Sequence, residues 1–462
     1  MKEQSERLGR EPIPQLLVNL AVPATVGMLV ITLHSVIDTI YIARGVGTIG
    51  VAAVAISFPV QMFFMALSGA MGIGGGSVIS RALGAGDLKK ANCTFGTIIS
   101  MVLAMAVIGA FLGLTYIRPM LKLFGSSDTI MPYACDYLGI LLYGTIFFAF
   151  SFAVNNIVRA EGNARVAMLS MIMSSVLNVI FTPIFIFGFD LGMRGAAYGT
   201  IVAQSATAFF LLYYFLSHRS TLSIKLRYLP PRRGLIFEIL SVGASAFVRQ
   251  GSGSIMLIVA NNLLILYGGD LAIAALGIIH RVMMFLMLPI LGVVQGLLPL
   301  VGYNYGAGKM DRVGESIILG IKISTLIALG AFILIMLFPA GFMKIFTPDS
   351  ELIEMGRSAL RIMFALSFTV GVQMVTGGVF QALGKARAAL VLSLSRQILF
   401  LIPMMLILPL SFELTGIWLA FPVADLFSFM LALWFIKRYE GYFFGSKAEA
   451  AGTGEKRPEH WK

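Results

Sequence analysis

The sequence predicts an all-α polytopic membrane protein with twelve transmembrane helices. These form two parallel six-helix lobes related by a pseudo-two-fold axis along the membrane normal. Of the 462 residues, 58% are hydrophobic and only 12% are charged, and the mean hydropathy is +0.90. Apolar stretches of about 20 residues, the length that crosses a bilayer, recur along the chain. In addition, the two halves resemble each other at one constant spacing.

The apolar stretches are separated by short polar breaks rich in Gly, Lys and Arg. Each stretch is long enough to form one spanning helix. The predicted spans cover residues 15–43, 51–80, 92–116, 133–158, 167–188, 194–217, 237–267, 272–301, 315–342, 356–382, 389–410 and 415–438.

The internal repeat is visible in four pairs of segments. The sequence LGAGD at 83–87 recurs as YGAGK at 305–309, so that Gly84 and Gly306 lie 222 positions apart (306 − 84 = 222). The other pairs in this register are 47–56 with 269–278, 122–124 with 344–346, and 159–165 with 381–387. Six crossings restore the starting side, and the two repeats are therefore parallel. A long duplication in an apolar chain is typical of two-lobed transporters.

The register predicts four segments along the chain. An N-terminal lobe covers residues 1–218, a cytoplasmic linker covers 219–234, a C-terminal lobe covers 235–438, and a cytoplasmic tail covers 439–462. The linker is the longest charged connection before the tail and contains Pro230-Pro231. The composition of the tail predicts disorder.

The formal net charge of +12 is distributed unevenly along the predicted topology. When the predicted spans cross the membrane in alternating directions, most lysines and arginines fall on one side of the membrane. Both termini and the linker lie on the same side. The positive-inside rule assigns this side to the cytoplasm. The excess of lysine and arginine over acidic residues therefore reflects membrane topology, and we expect no nucleic-acid partner. The first span is longer than a signal-peptide core, and we expect it to be retained.

Asp38 is the most informative ionisable residue within a span, because a charge there is costly and by default marks function. It follows Pro23, which should bend the first helix. The residue 222 positions later is Ala260, so only one half carries this carboxylate. Two interpretations are open at this point. Asp38 is either a solvated carboxylate at the end of a helix, or a protonation or cation site in a cavity.

Other polar residues inside spans are weaker candidates. Asp425 lies near Pro422 and is either a second cation site or one partner of a salt bridge with an arginine of a neighbouring helix. Several further side chains either line a cavity or join helices. These are Asn155, Gln204, Arg249, Gln250 and Arg281.

The motifs of common catalytic classes do not occur in the sequence. There is no Walker loop, nucleophile elbow or His-Glu-x-x-His pattern. His34 has no companion at ligand spacing, so a metal site is not expected there. We therefore expect neither an enzyme nor a bound cofactor.

Several segments together resemble the multidrug and toxic compound extrusion (MATE) transporters of prokaryotes. They are VIDTIYIARGVGTIGVAAVAISFPV at 36–60, RALGAGD at 81–87, RAEGNAR at 159–165, LNVIFTPIFIFGF at 177–189, GYNYGAGKMDRV at 302–313 and GIWLAFPVADL at 416–426. The resemblance covers essentially the whole chain. It implies an antiporter in the inner or plasma membrane, exporting organic cations by alternating access in exchange for protons or sodium ions.

The resemblance also implies which residues couple the ion. Asp38 matches the first-span aspartate of the family, and Tyr137, Asn178 and Thr200 match its partners in the fourth, fifth and sixth spans. Thr182 stands where the family usually has a second aspartate. The seventh-span carboxylate used by another branch is also missing, since the aligned stretch contains Arg249 and Gln250.

A site with one carboxylate holds a sodium ion less well, and proton coupling through Asp38 is favoured, with Asp425 contributing on the C-lobe side. A cavity walled by Met and Phe, of which the chain has 26 and 35, would bind lipophilic cations. We expect a monomer in the lipid bilayer. The alternatives are a flippase for lipid-linked oligosaccharides, of related fold, and a membrane receptor that does not transport.

Overall fold

The computed structural model describes residues 5–217, 219–441 and 443. Its long apolar helices follow the predicted order of spans. We label the spans α1 (Ile13–Gly45), α2 (Thr48–Gly84), α3 (Leu88–Thr115), α4 (Met131–Ala160), α5 (Ala164–Gly188), α6 (Gly192–Leu216), α7 (233–268), α8 (270–306), α9 (Met310–Leu337), α10 (Ser350–Met363 with Ser367–Ala382), α11 (Ala386–Ile407) and α12 (Pro409–Arg438).

α7 and α8 follow each other without a loop, and together they cover the 74 residues Arg233–Gly306. At 1.5 Å per residue this stretch would be about 111 Å long, whereas the hydrocarbon core of a bilayer is about 30 Å thick. Gly269 divides it, with a φ of 63° that a residue with a side chain rarely adopts. Gly47, at the equivalent place between α1 and α2, has a φ of 88°.

The predicted all-α polytopic fold with twelve spans is thus confirmed. α10 is one span bent by 47° at the break between its two helices. The bounds of the spans differ from the prediction by a few residues. The largest shifts are at the starts of α10 and α12, which begin at Ser350 and Pro409, six residues before the predicted starts. α9 ends at Leu337 instead of residue 342, because Pro339 begins a separate short helix, Pro339–Lys344.

Two compact units make up the chain. Within the described residues, unit 1 contains residues 5–8 and 23–243, and unit 2 contains residues 9–22 and those from 244 onward. The first helix of each half is therefore shared: α1 passes into unit 1 at Pro23, and α7 passes into unit 2 after Gly243. The segment boundaries that the sequence predicts at residues 218, 234 and 438 stay a prediction. Beyond residues 439–441 and 443, the predicted tail lies outside the described residues.

A glycine at the equivalent position of each unit packs closely against the start of the other half's first helix. In unit 1, a side chain on Gly74 would meet the Ile239 carbonyl and lie 2.9 Å from the Gly243 nitrogen. In unit 2, a side chain on Gly296 would lie 3.0 Å from the Ala21 nitrogen. Gly74 and Gly296 are 222 positions apart (296 − 74 = 222), so the same close packing occurs twice.

The connection between the halves lies against unit 1 and is held by a buried acid. Glu161, in the short turn between α4 and α5, is 1% exposed. Its carboxylate accepts hydrogen bonds from the Tyr214 hydroxyl (2.6 Å), the Ser220 hydroxyl (2.6 Å) and the Thr221 backbone N–H (3.2 Å). Burial raises the pKa of Glu161 to about 7, although these donors act in the opposite direction.

Two further side chains bind the same connection. The Asn92 amide oxygen accepts a hydrogen bond from the Ser223 backbone N–H at 2.7 Å, and the Ser100 hydroxyl donates to the Leu229 carbonyl at 2.6 Å. The connection is thereby attached to α3 at two levels and to the α4–α5 turn.

Candidate functional site

Asp38 lies on α1, fifteen residues after Pro23 (38 − 23 = 15), and is half-buried. Its Oδ1 atom is buried and has no hydrogen-bond partner among the described residues. Thr182 of α5 lies beside the carboxyl group. One turn earlier on α1, His34 makes a hydrogen bond of 3.3 Å with the Ser175 hydroxyl of α5. Asp38 therefore faces α5 with one oxygen unsatisfied, which is unusual for a buried polar atom.

A chain of hydrogen bonds leads from Thr182 to α6. The Thr182 hydroxyl donates to the Asn178 amide oxygen at 3.4 Å, and the Asn178 amide nitrogen donates to the Thr200 hydroxyl at 3.2 Å. Thr200 in turn donates to the Ala196 carbonyl at 3.0 Å. Three of the residues predicted from the sequence thus form one network, and it contains no second carboxylate.

Small residues on α6 bring this network together. A side chain on Gly199 would lie 2.7 Å from the Cα and Oγ1 atoms of Thr182, and one on Gly195 would lie 2.7 Å from the Phe185 backbone. Glycines four residues apart let two membrane helices approach closely. Pro183 follows Thr182, and the helix continues in the wider π form over Ile184–Gly188. Such a local change of helix type often accompanies a functional site.

Tyr137 of α4 completes the environment of Asp38. The side chain is 4% exposed and lies within electrostatic range of the Asp38 carboxyl group. Gln61 of α2 lies beside the Tyr137 hydroxyl, and its amide nitrogen has no hydrogen-bond partner among the described residues. Gln61 is not among the site residues predicted from the sequence. An amide inside an otherwise apolar span was the available signal, since such a group is costly unless it has a partner or borders a cavity.

A cavity of about 40 Å³ lies next to this group, within unit 1. Its polar lining is provided by Gln61, Thr145 and Gln204, and its apolar lining includes Phe64 and Phe148. This volume is large enough for water, and the three side chains offer the polar partners that a buried water needs. Gln204, one of the predicted cavity residues, therefore lies at a cavity next to the Asp38 environment.

The remaining predicted residues lie elsewhere. Asn155 joins α4 to α5, since its amide nitrogen donates to the Ala167 carbonyl (2.9 Å) and to the Ser170 hydroxyl (2.8 Å). Arg249 and Gln250 are half-buried on α7, and Arg281 is exposed on α8. These three residues belong to unit 2.

Asp425 of α12 is 1% exposed and forms an ion pair with Arg396 of α11, with 2.6 Å between Nε and Oδ1. The Gln373 side chain donates to the Asp425 backbone carbonyl at 2.9 Å. This is the salt bridge with an arginine of a neighbouring helix that the sequence left open. Arg396 lies in a second π-helical segment, Ser395–Leu401. Among the described residues, no group of three or more His, Cys, Asp or Glu side chains could hold a metal ion.

Comparison with known proteins identifies the family. The MatE family model matches twice, at residues 23–184 and 246–407. The two matches begin 223 residues apart (246 − 23 = 223), in agreement with the duplication predicted from the sequence. The chain is also 28% identical to the multidrug export protein MepA of Staphylococcus aureus over 420 residues, which are 90% of this chain and 91% of that protein.

Solved structures agree with this assignment. The MATE multidrug transporter DinF-BH, solved in complex with a ligand, shares 47% identity and a TM-score of 0.88, covering 96% of this chain and 99% of that chain. A MATE in the bent conformation shares 28% identity and a TM-score of 0.90 over the same fractions of the two chains. Matched twice by one model over most of its length, the chain belongs to the MatE family of multidrug efflux transporters.

Proposed function

We propose that this transporter is a secondary antiporter that exports lipophilic organic cations in exchange for protons, with Asp38 as the residue that takes up and releases the coupling proton. The observation that carries the proposal is the buried, unsatisfied Oδ1 atom of Asp38 in the described part of unit 1. A buried carboxyl group with a free oxygen can exchange a proton for another cation, and neutral polar groups surround Asp38. Tyr137, Asn178, Thr182 and Thr200 are proposed to adjust its environment.

The hydrogen bonds around Asp38 support a proton over a sodium ion. A hard cation needs several oxygen ligands, preferably with more than one negative charge. Here the Asn178 oxygen accepts from Thr182, and the Thr200 oxygen accepts from Asn178. Each of these oxygens already uses one lone pair in a hydrogen bond, and a sodium ion would gain only one carboxylate. A proton needs only the free oxygen of Asp38.

The relatives support the class of substrate. MepA is named a multidrug export protein, and DinF-BH is named a multidrug transporter. The chain itself offers many Met and Phe side chains, which adapt to flat apolar cations and attract positive charge to their ring faces. We place the substrate path next to Gln204 and its cavity, and we assign Asp425 to the support of the second half. By the distribution of basic residues, both termini face the cytoplasm of a plasma or inner membrane.

Reconstitution into liposomes tests the proposal. Ethidium flux is measured under an imposed pH gradient and, separately, under a sodium gradient. We expect flux with the pH gradient alone, and we expect Asp38→Asn to stop it without changing the yield or the melting temperature. Asp128→Asn, an exposed acid in the loop before α4, is the matched control and should transport like the wild type.

Each alternative result has a definite meaning. Flux driven only by sodium would contradict proton coupling but keep the antiporter. Undiminished flux in Asp38→Asn would contradict the role of Asp38. Absence of flux under both gradients, in protein that is folded, would contradict the antiport mechanism.

A further inference from the structure

The start of α9 borders a second cavity that the transport site does not use. It has a volume of about 200 Å³ and lies within unit 2. Its lining from α9 comprises Asp311, Glu315, Ile318, Leu319 and Lys322, and Pro14 and Phe443 complete the wall. The spacing of the α9 residues places them on one face of the helix. The cavity therefore combines an acid, a base and an apolar floor.

Neither Glu315 nor Lys322 is neutralised by the described part of the protein. Glu315 and Lys322 are both exposed, and neither makes a hydrogen bond or ion pair with another described residue. They are seven residues apart, which corresponds to about 10.5 Å along the helix. Helical ion pairs form between residues three or four apart, so this acid and this base do not reach each other directly. A ligand that carries both charges could bridge them.

Lys322 is also in an unfavourable position unless an anion accompanies it. α9 has 28 residues and is about 42 Å long, roughly 12 Å longer than the hydrocarbon core. The Lys322 Cα atom lies about 18 Å from the start of the helix, so it is at least ~6 Å inside the hydrocarbon region. Its side chain leans towards the start of the helix, and the ammonium group can reach the level of the headgroups.

We propose that this cavity binds the headgroup of a phospholipid that carries a primary ammonium, phosphatidylethanolamine. The phosphate contacts the deeper Lys322, and the ammonium group donates to the shallower Glu315. This order of charges is the order in a bilayer, where the ammonium group lies nearest to water and the phosphate lies below it. Asp311 also lines the outer end of the cavity.

An organic cation fits the cavity less well than this lipid does. A cation would be attracted by Glu315 but would leave Lys322 without an anion at the membrane level. An anionic lipid has the opposite defect, because its phosphate suits Lys322 while Glu315 repels further negative charge. Only a headgroup with both signs satisfies both ends of the cavity.

Native mass spectrometry of the full-length protein tests the proposal. The protein is equilibrated with equal amounts of phosphatidylethanolamine, phosphatidylcholine and phosphatidylglycerol of the same acyl chains, and the retained lipids are counted. We expect the wild type to retain phosphatidylethanolamine about threefold more than phosphatidylcholine, whose methylated headgroup cannot donate hydrogen bonds to Glu315. Equal retention of these two lipids would overturn the proposal without recourse to any variant.

Variants separate the two ends of the cavity. Glu315→Gln should abolish the preference for phosphatidylethanolamine and raise the retention of phosphatidylglycerol. Lys322→Gln should lower the retention of all three lipids, and Lys322→Arg should restore it. Lys344→Gln, an exposed lysine outside the cavity, is the matched control and should behave like the wild type. A preference that survives Glu315→Gln, or displacement of the lipid by ethidium, would overturn the proposal.

Discussion

The two halves of the chain have the same order of helices but opposite chemistry at equivalent positions. Shifted by 222 residues, Asp38, Tyr137, Asn178 and Thr182 correspond to Ala260, Ala359, Phe400 and Met404. In the first half these positions hold the unsatisfied carboxyl group and its polar network. In the second half all four belong to, or pack against, one hydrophobic core.

The second half carries its charges at other positions. Asp425 and Arg396 form a buried ion pair there, whereas the equivalent residues of the first half are Ala203 and Ser174. A charge without a partner is available for exchange with a ligand, while a charge with a close partner mainly fixes two helices. The comparison therefore suggests that the first half is adapted to ion exchange and the second to a stable arrangement of α11 and α12.

The largest expected effect comes from moving the acid to the other half. The double substitution Asp38→Asn with Ala260→Asp should give no ethidium flux above protein-free liposomes, and its melting temperature should fall. Ala260 is 0% exposed within an apolar core, so a carboxyl group there lacks hydrogen-bond donors and costs several kcal/mol. Transport restored by the transferred acid would show that the two halves are interchangeable and would contradict the difference between them described above.

The ion pair of the second half should be asymmetric in its response to mutation. The side chain of Asp425 is only 2% exposed, whereas the side chain of Arg396 is 30% exposed. Arg396→Met leaves a buried carboxylate without a partner and should cost about 3–5 kcal/mol, whereas Asp425→Asn leaves a cation that the protein encloses only in part and should cost about 1–3 kcal/mol. Thermal unfolding in detergent measures both, and the double variant Arg396→Met with Asp425→Leu should recover most of the loss. Equal costs for the single variants would contradict this account.

The stability of the first half should depend on pH through Glu161. Its pKa in the folded protein is about 7, above the value of 4.5 expected for an unfolded chain. A raised pKa means that the native state binds the proton more tightly. The contribution of Glu161 to stability is therefore complete below pH 4.5 and is lost as the pH rises to about 7, by roughly 3 kcal/mol.

Glu161→Gln tests this prediction because glutamine keeps a similar shape and does not titrate. The melting temperature of the wild type, relative to the variant, should fall as the pH rises from 4.5 to 7 and should be constant above 8. Glu354→Gln, which alters an exposed acid paired with Arg357, controls for general effects of charge. A constant difference between wild type and Glu161→Gln over this range would contradict the raised pKa.

The smallest effect is expected from the packing of α5 on α6. Gly199→Ala places a methyl group 2.7 Å from the Cα atom of Thr182, and the resulting strain should cost about 1–3 kcal/mol and slow transport by displacing Thr182. Gly277→Ala on α8 is the control, because nothing lies within 4 Å of the added carbon, and it should raise stability by at most about 1 kcal/mol through the higher helix propensity of alanine. Full activity in Gly199→Ala would show that the position of Thr182 is unimportant.

The sequence predicts the spans well because hydrophobic length is a local property that the bilayer imposes on each helix. It also selects Asn178, Thr182 and Thr200, which share one hydrogen-bond network. The partner of Asp425 is not predictable in the same way, because Arg396 lies 29 positions away on another helix (425 − 396 = 29). Gln61 was missed because a single amide adds no periodic signal to an apolar segment. The contacts of Glu161 with Ser220 and Thr221 depend on the path of an irregular connection, which composition does not determine.

The sharing of α1 and α7 between the two units has a consequence for the origin of the protein. Each unit contains the opening turns of the other half's first helix, received next to Gly74 or Gly296. A half-length ancestor with the same packing would have had to exchange these turns between two copies, as a domain-swapped homodimer does. Fusion of the two copies would then have made the exchange permanent. By the same reasoning, a chain cut in the connection between the halves should need both fragments in the same membrane before either unit can fold.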